Sequence, residues 1–174
     1  MPRLVFVLLA GLLLIASPQH SGAQEADPIA HQHPSTAVID GATHPELIPD
    51  SVAYRLYLVA VSTGQNPTEE ERTSQRAHVK RAGLAESDQE VFISVLSEFR
   101  AKYDALVAEY NDKAKAASAR NETTDVRELL RKLDDLVQST RDTISERMTS
   151  KGAARVHSHI ISEKKNMKIQ PEDQ

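Results

Sequence analysis

The chain has 174 residues, 40% apolar but only 4% aromatic, with no Cys and no Trp. That length predicts one domain, or one domain plus a tail, and the missing cysteines exclude a disulfide framework, a thiolate metal site and a cysteine nucleophile. With 25 Asp+Glu against 21 Lys+Arg, the formal charge of −4 gives no overall attraction to nucleic acid or anionic membranes.

Residues 4–16 read LVFVLLAGLLLIA, thirteen residues without a charge, and Arg3 precedes them. Ser21 and Ala23 then stand at −3 and −1 of a cut before Gln24. A cationic start, an apolar stretch and a small-residue cut site define a secretory signal peptide over 1–23. The apolar stretch is short of the roughly 20 residues that span a bilayer. No cysteine follows it, which excludes an N-terminal lipid anchor. Cleavage leaves 151 residues at a charge of −5, with no other long apolar run. The expectation is a soluble, secreted or periplasmic protein with no stable membrane insertion after cleavage. Small exported eukaryotic domains lean on disulfides, so a cysteine-free one reads as a bacterial envelope protein.

Residues 24–48 contain Pro28, Pro34 and Pro45 with His31, His33 and His44, and no periodicity runs through them. They read as a disordered leader or linker. From Thr68 to Gln170 there is no proline, and the mature chain has only Gly41, Gly64, Gly83 and Gly152. This composition predicts an all-α domain over 49–169, followed by a polar tail at 170–174.

A first helix runs from Pro49 or Asp50 to about Ser62, apolar almost all round and so suited to the centre of a bundle. Asn66-Pro67 offers an N-cap and an N1 proline for a polar second helix, which ends near Ala82 with Gly83 beyond it. A third helix is signalled by a capping box, Ser87 to Glu90. Phe92, Leu96, Phe99, Tyr103, Leu106 and Tyr110 follow at steps of 4, 3, 4, 3 and 4, a coiled-coil-like heptad seam. Residues 111–121 either extend that helix or form a hairpin loop. A fourth helix, capped near Thr123 or Thr124, repeats the same steps in Val126, Leu130, Leu133, Val137, Thr140 and Ile144. Thr149 or Ser150 caps a fifth, with Ala153, Val156, Ile160 and Ile161. Two matching seams and a short connector predict an antiparallel hairpin. The expected fold is thus a four- to five-helix bundle-like domain built on a long antiparallel helical hairpin, preceded by a signal peptide and a disordered leader.

The chemistry-bearing residues are sparse. His157 and His159 lie i,i+2 on a helix, about 200° apart, and cannot chelate one ion together. His31, His33 and His44 could hold a divalent ion only weakly. No Gly-x-Ser-x-Gly elbow and no glycine-rich phosphate loop is present. The expectation is a protein with no enzymatic activity, no cofactor and no metal site. Arg55 is the one charge amid SVAY and LYLVAV, with Tyr54 and Tyr57 beside it. It is either a salt-bridged or snorkelling arginine or an anchor for an anionic group in a groove. The tyrosines, apolar with a polar tip, suit core or groove. Tyr54, Arg55 and Tyr57 are therefore the candidate binding residues. Lys164, Lys165 and Lys168 form a short basic cluster that reads as a solvated helix end in preference to a contact with a membrane surface or an acidic partner.

The segments IDGATHPELIPDSVAYRLYLVAV (39–61), HVKRAGLAESDQEVF (78–92), FRAKYDALVAEYN (99–111) and EKKNMKI (163–169) resemble an uncharacterised group of exported bacterial all-helical proteins. A more distant similarity is to the Spy/CpxP class of periplasmic stress proteins. That class opens a helix with L-T-x-x-Q; here Leu84-Ala85-Glu86-Ser87-Asp88 lacks both the Thr and the Gln. The resemblance implies export and helices, with no catalytic residues to carry over.

The expected function is that of an exported, non-enzymatic, helical binding or chaperone-like protein of the bacterial envelope. The alternative is a structural helical homo-oligomer, and a metal-binding protein or enzyme ranks below both. Expected partners are other envelope proteins or a second copy of the chain, not nucleic acid.

Overall fold

A computed structural model describes residues 38–170. Within them the fold is all-α, as the pattern predicts. Five helices follow one another: α1 (Asp50–Val61), α2 (Glu69–Arg81), α3 (Glu86–Ser118), α4 (Val126–Arg147) and α5 (Ser150–Glu163). An antiparallel bridge joins β1 (Ile39–Asp40) to β2 (Lys168–Ile169). The expected signal peptide, the leader as far as residue 37 and residues 171–174 lie outside the described residues. No helix among the described residues is long and apolar enough to cross a membrane.

α1 is the central helix. Val52, Ala53, Tyr54, Arg55, Tyr57, Leu58 and Val61 are all buried. A helix buried on so many sides needs neighbours all round, and α1 packs against each of the other four. α2 is thinly attached. Apart from Val79 and Ala82, it is pinned by buried Gln75, whose Nε2 donates to the Val61 carbonyl at 3.1 Å.

Three helix starts differ from the sequence expectation. α2 is capped by Thr68, not Asn66. The Thr68 Oγ1 accepts from the Glu71 amide at 3.2 Å, and the Glu71 carboxylate accepts from the Thr68 amide at 2.7 Å. That reciprocal box satisfies two orphan donors at once, which Asn66 followed by proline cannot do. α3 begins after Ala85, which places Ser87 inside the helix and not at its cap, and Asp88 in the first turn reaches across to Thr149. α4 is capped by Asp125, whose carboxylate accepts from the Arg127 amide at 2.9 Å.

The alanine-rich stretch after Tyr110 continues α3 to Ser118, and Asn121 turns the chain with φ 56°. Cross-hairpin ion pairs fix the antiparallel register: Arg147 to Glu98 at 2.6 Å and Lys132 to Glu109 at 2.8 Å. α3 packs along α4, and Phe92, Leu96 and Phe99 of one seam and Val137, Thr140 and Ile144 of the other are all buried.

The leader boundary and the basic cluster are corrected. Residues 39–48 are ordered, not linker: they form β1, a turn and a 3-10 turn at Pro45–Leu47, and Ile48 is 0% exposed. Gly41 makes this possible. Its amide donates to the Met167 carbonyl at 2.9 Å, and a Cβ there would lie 1.8 Å from the Lys164 carbonyl oxygen. Lys164 is buried, not a solvated helix end. Its Nζ is 2.5 Å from Asp50 at the start of α1, and Lys168 pairs with Asp40 at 2.7 Å. The two ends of the described chain are thus stapled together by a two-residue ladder and two ion pairs.

Candidate functional site

Tyr54, Arg55 and Tyr57 do not line a groove. They are 4%, 9% and 6% exposed, and α4 and α5 lie over them. The Tyr54 hydroxyl is hydrogen-bonded to His157 Nδ1 at 3.0 Å, and the Arg141 guanidinium sits over its ring at 4.7 Å. Arg55 Nη1 lies 3.8 Å from an Asp134 carboxylate oxygen. Of the two readings for Arg55, the geometry is that of a salt-bridged core arginine, held against α4. The Tyr57 ring meets the His159 ring edge-on at 5.5 Å. The three residues are brought together, but as a polar lining of the α1–α4–α5 seam.

Their partners were the residues sequence reasoning missed. Asp134 and Arg141 stand a heptad apart on α4, flanking Val137 and Thr140 of the seam. That spacing was the available signal. His157 and His159 diverge as their i,i+2 spacing requires, one to Tyr54 and the other to Tyr57. His44 pairs instead with Glu46 at 3.2 Å, while His31 and His33 lie outside the described residues. Among the described residues, no group of three His, Asp or Glu side chains is placed to hold a metal ion.

Between α2 and α5 the polar groups gather most closely. His78 Nδ1 accepts from the Arg81 guanidinium, and His159 Nε2 lies 4.0 Å from a Glu163 oxygen. Burial holds both imidazoles below the usual histidine range. Arg81 adds to that, and Glu163 opposes it. The Tyr57 hydroxyl is buried there without a hydrogen-bond partner, and burial, with Glu163 nearby, pushes its pKa up to about 12. A shallow hollow of about 440 Å³ opens beside this cluster, rimmed by Lys151, Arg155 and His159. Arg155 is already tied to the Gly83 carbonyl.

The other notable surface is at the far end of the hairpin. At 1.5 Å per residue, the 33 residues of α3 reach about 50 Å, whereas the 12 of α1 and 14 of α5 reach about 18 and 21 Å. The hairpin therefore outruns the helices that could cover it: Val107 to Ser118 on α3 reaches about 18 Å beyond the central cluster, and Val126 to Lys132 on α4 about 10 Å. From Val107 to Leu133, no residue belongs to the central apolar cluster. The seam nonetheless continues there. Val107, Tyr110, Leu129 and Leu130 are half-buried, and Val126 is 46% exposed. A shallow hollow of about 640 Å³ lies along α3, lined by Asn111, Ala114, Lys115, Ser118 and Ala119. We call this distal part of α3 and α4 the arm.

No family model, curated protein or solved structure matches the chain.

Proposed function

We propose that this is an exported, non-enzymatic binding protein of the bacterial envelope, chaperone-like in shielding apolar segments of other proteins, and that the arm is its working surface. The observation that carries the reading is the mismatch of helix lengths. A heptad seam continues past the five-helix body, where two helices alone bury Ala117 and Leu133 but leave Val107, Tyr110, Leu129 and Leu130 half-covered and Val126 exposed. Helices that present half-covered apolar side chains with charges alongside are suited to extended, partly unfolded clients. Export rests on the signal-like residues 1–23.

The reading moves the contact surface away from Tyr54, Arg55 and Tyr57, whose polar atoms hold helices together. An aggregation-suppression assay with the mature chain, 24–174, tests it. Protection of a heat- or reduction-denatured client at near-stoichiometric ratios supports the reading. Absence of protection, together with absence of hydrophobic-dye binding, removes it.

A further inference from the structure

α2 is held to the body by few side chains. Only Gln75 and Val79 of the helix are buried, with Ala82 just beyond its end. Val79 is its one contribution to the central apolar cluster, and its ion pair, Arg72 with Glu69, lies within the helix itself. The loops on either side carry Gly64 and Gly83, where even an added Cβ would meet nothing within 4 Å. The other four helices are bound far more deeply: α1, α3, α4 and α5 contribute Leu58, Phe92, Val137 and Ile160 to one cluster, all fully buried.

The contact between α2 and α5 is built from ionisable groups. α2 brings His78 and Arg81, and α5 brings His159 and Glu163. The buried Tyr57 hydroxyl of α1 lies beside them without a partner. The charges acting on the two imidazoles come from these two helices: Arg81 and Glu163 act on both, and His159 acts on His78. Arg155 and Lys151 stand one and two turns back along α5, on the face that His159 lines. Glu163 is the one carboxylate in this set.

Neutral histidines let the contact close. His78 Nδ1 keeps a lone pair and uses it to accept from Arg81. A protonated imidazole is a donor at both nitrogens, so that bond is lost and two cations face each other. Protonating His159 as well sets His78, Arg81, His159, Arg155 and Lys151 against Glu163 alone, in a contact partly shut off from water. Both half-buried rings pass into water when α2 swings away, so the released form binds these protons more readily than the docked one.

We infer that α2 is an acid-released strap: protonation of His78 and His159 detaches it from α5, and it turns out on its two flanking loops while the other four helices stay packed. Its release uncovers Val79 and the surfaces of α1 and α3 against which α2 packs. The strap is separate from the arm and works whether or not the arm binds clients.

The test is a spin-label distance. The mature chain has no cysteine, so it takes one label pair at Ala77→Cys on α2 and Glu146→Cys on α4, and a control pair at Ser97→Cys on α3 and Glu146→Cys. All three positions are exposed. Dipolar spectra are recorded from pH 7.5 to 5, above the range in which most carboxylates titrate. The expected result is a single distance for both pairs at pH 7.5 and, below about pH 6, a second and longer population for the α2–α4 pair alone. The double variant His78→Gln/His159→Gln cannot take up the charge and should show no second population at pH 5; a melt at pH 7.5 verifies its fold. Each single variant, which disturbs the contact less, should about halve that population. An α2–α4 distance unchanged at pH 5 overturns the inference. So does a control pair that lengthens in step, which is unfolding of the whole domain, and so does a second population that survives both histidine substitutions.

Discussion

The Asp88 carboxylate accepts from both the backbone amide and the hydroxyl of Thr149, at 3.0 and 2.7 Å, and so joins the start of α3 to the start of α5. Thr149 in turn caps α5 by accepting from the Gly152 amide at 3.0 Å. Its amide and hydroxyl hold the Asp88 carboxyl below the usual carboxylate range. Gly152 lies directly beneath: a Cβ there would fall 2.3 Å from an Asp88 oxygen. One carboxylate thereby organises two helix starts.

Gly152→Ala is expected to destabilise the fold by about 1–3 kcal/mol, because the methyl group evicts Asp88 from Thr149. Asp88→Asn should give a similar phenotype, and the double variant should lose less than the sum, since both act on one contact. Thermal melts of the three variants check this. Additive losses would mean that the two residues act separately.

Gly41→Ala is expected to cost more than Gly152→Ala. The obstacle there is the Lys164 carbonyl, which is backbone and cannot rotate away. The substitution should prise β1 from β2, with a loss of about 3 kcal/mol or more. Hydrogen exchange would show it first at the Gly41 amide, now bonded to the Met167 carbonyl.

The two seam tyrosines should respond oppositely to loss of their hydroxyls. Tyr54→Phe removes the bond to His157 and should cost about 0.5–1.5 kcal/mol. Tyr57→Phe removes a buried hydroxyl with no partner and should be neutral or stabilising. Denaturant titrations of both variants check the contrast. A large loss for Tyr57→Phe would mean that its hydroxyl does have a partner.

Stability should fall on mild acidification. His78 and His159 are held below their ordinary values in the fold, so the unfolded chain binds their protons first. Above about pH 6.5 both states are neutral at these sites and nothing is lost. As pH drops below that, protonation favours unfolding, and the effect levels off below the folded values. The carboxylates of Asp50 and Asp88, held low by Lys164 and Thr149, add a second loss below about pH 4. Melts between pH 7.5 and 5 check the first window. His159→Gln should reduce it, leaving the part that His78 contributes.

The hairpin was readable from the sequence because a heptad seam is local: Phe92 to Tyr110 and Val126 to Ile144 each carry their own period. The caps of α3 and α4 were not. Ser87–Glu90 is a valid local box, but the helix starts two residues earlier, where Asp88 in its first turn bonds Thr149, 61 residues away and in no window on the sequence. The order of 39–48 was hidden for the same reason. Ile48 and Gly41 are fixed by the Lys164–Ile169 end of the chain, not by any period of their own. Tyr54, Arg55 and Tyr57 were recognisable as unusual, yet whether they face core or groove depends on α4 and α5 covering them. The arm was only half readable: the seam from Phe92 to Tyr110 is longer than the central helix, but whether residues 111–121 extend it as helix is settled only by α3 running to Ser118.

Site-specific photocrosslinking tests the claim that the arm is the working surface most directly. The mature chain has no cysteine, so a benzophenone placed at Ala116→Cys reports from the arm and one at Ser158→Cys reports from the body beside α2. With a denatured client present, crosslinks to the client are expected from position 116 and not from position 158. Crosslinks to the client from 158 alone, or equally from both, would contradict the assignment.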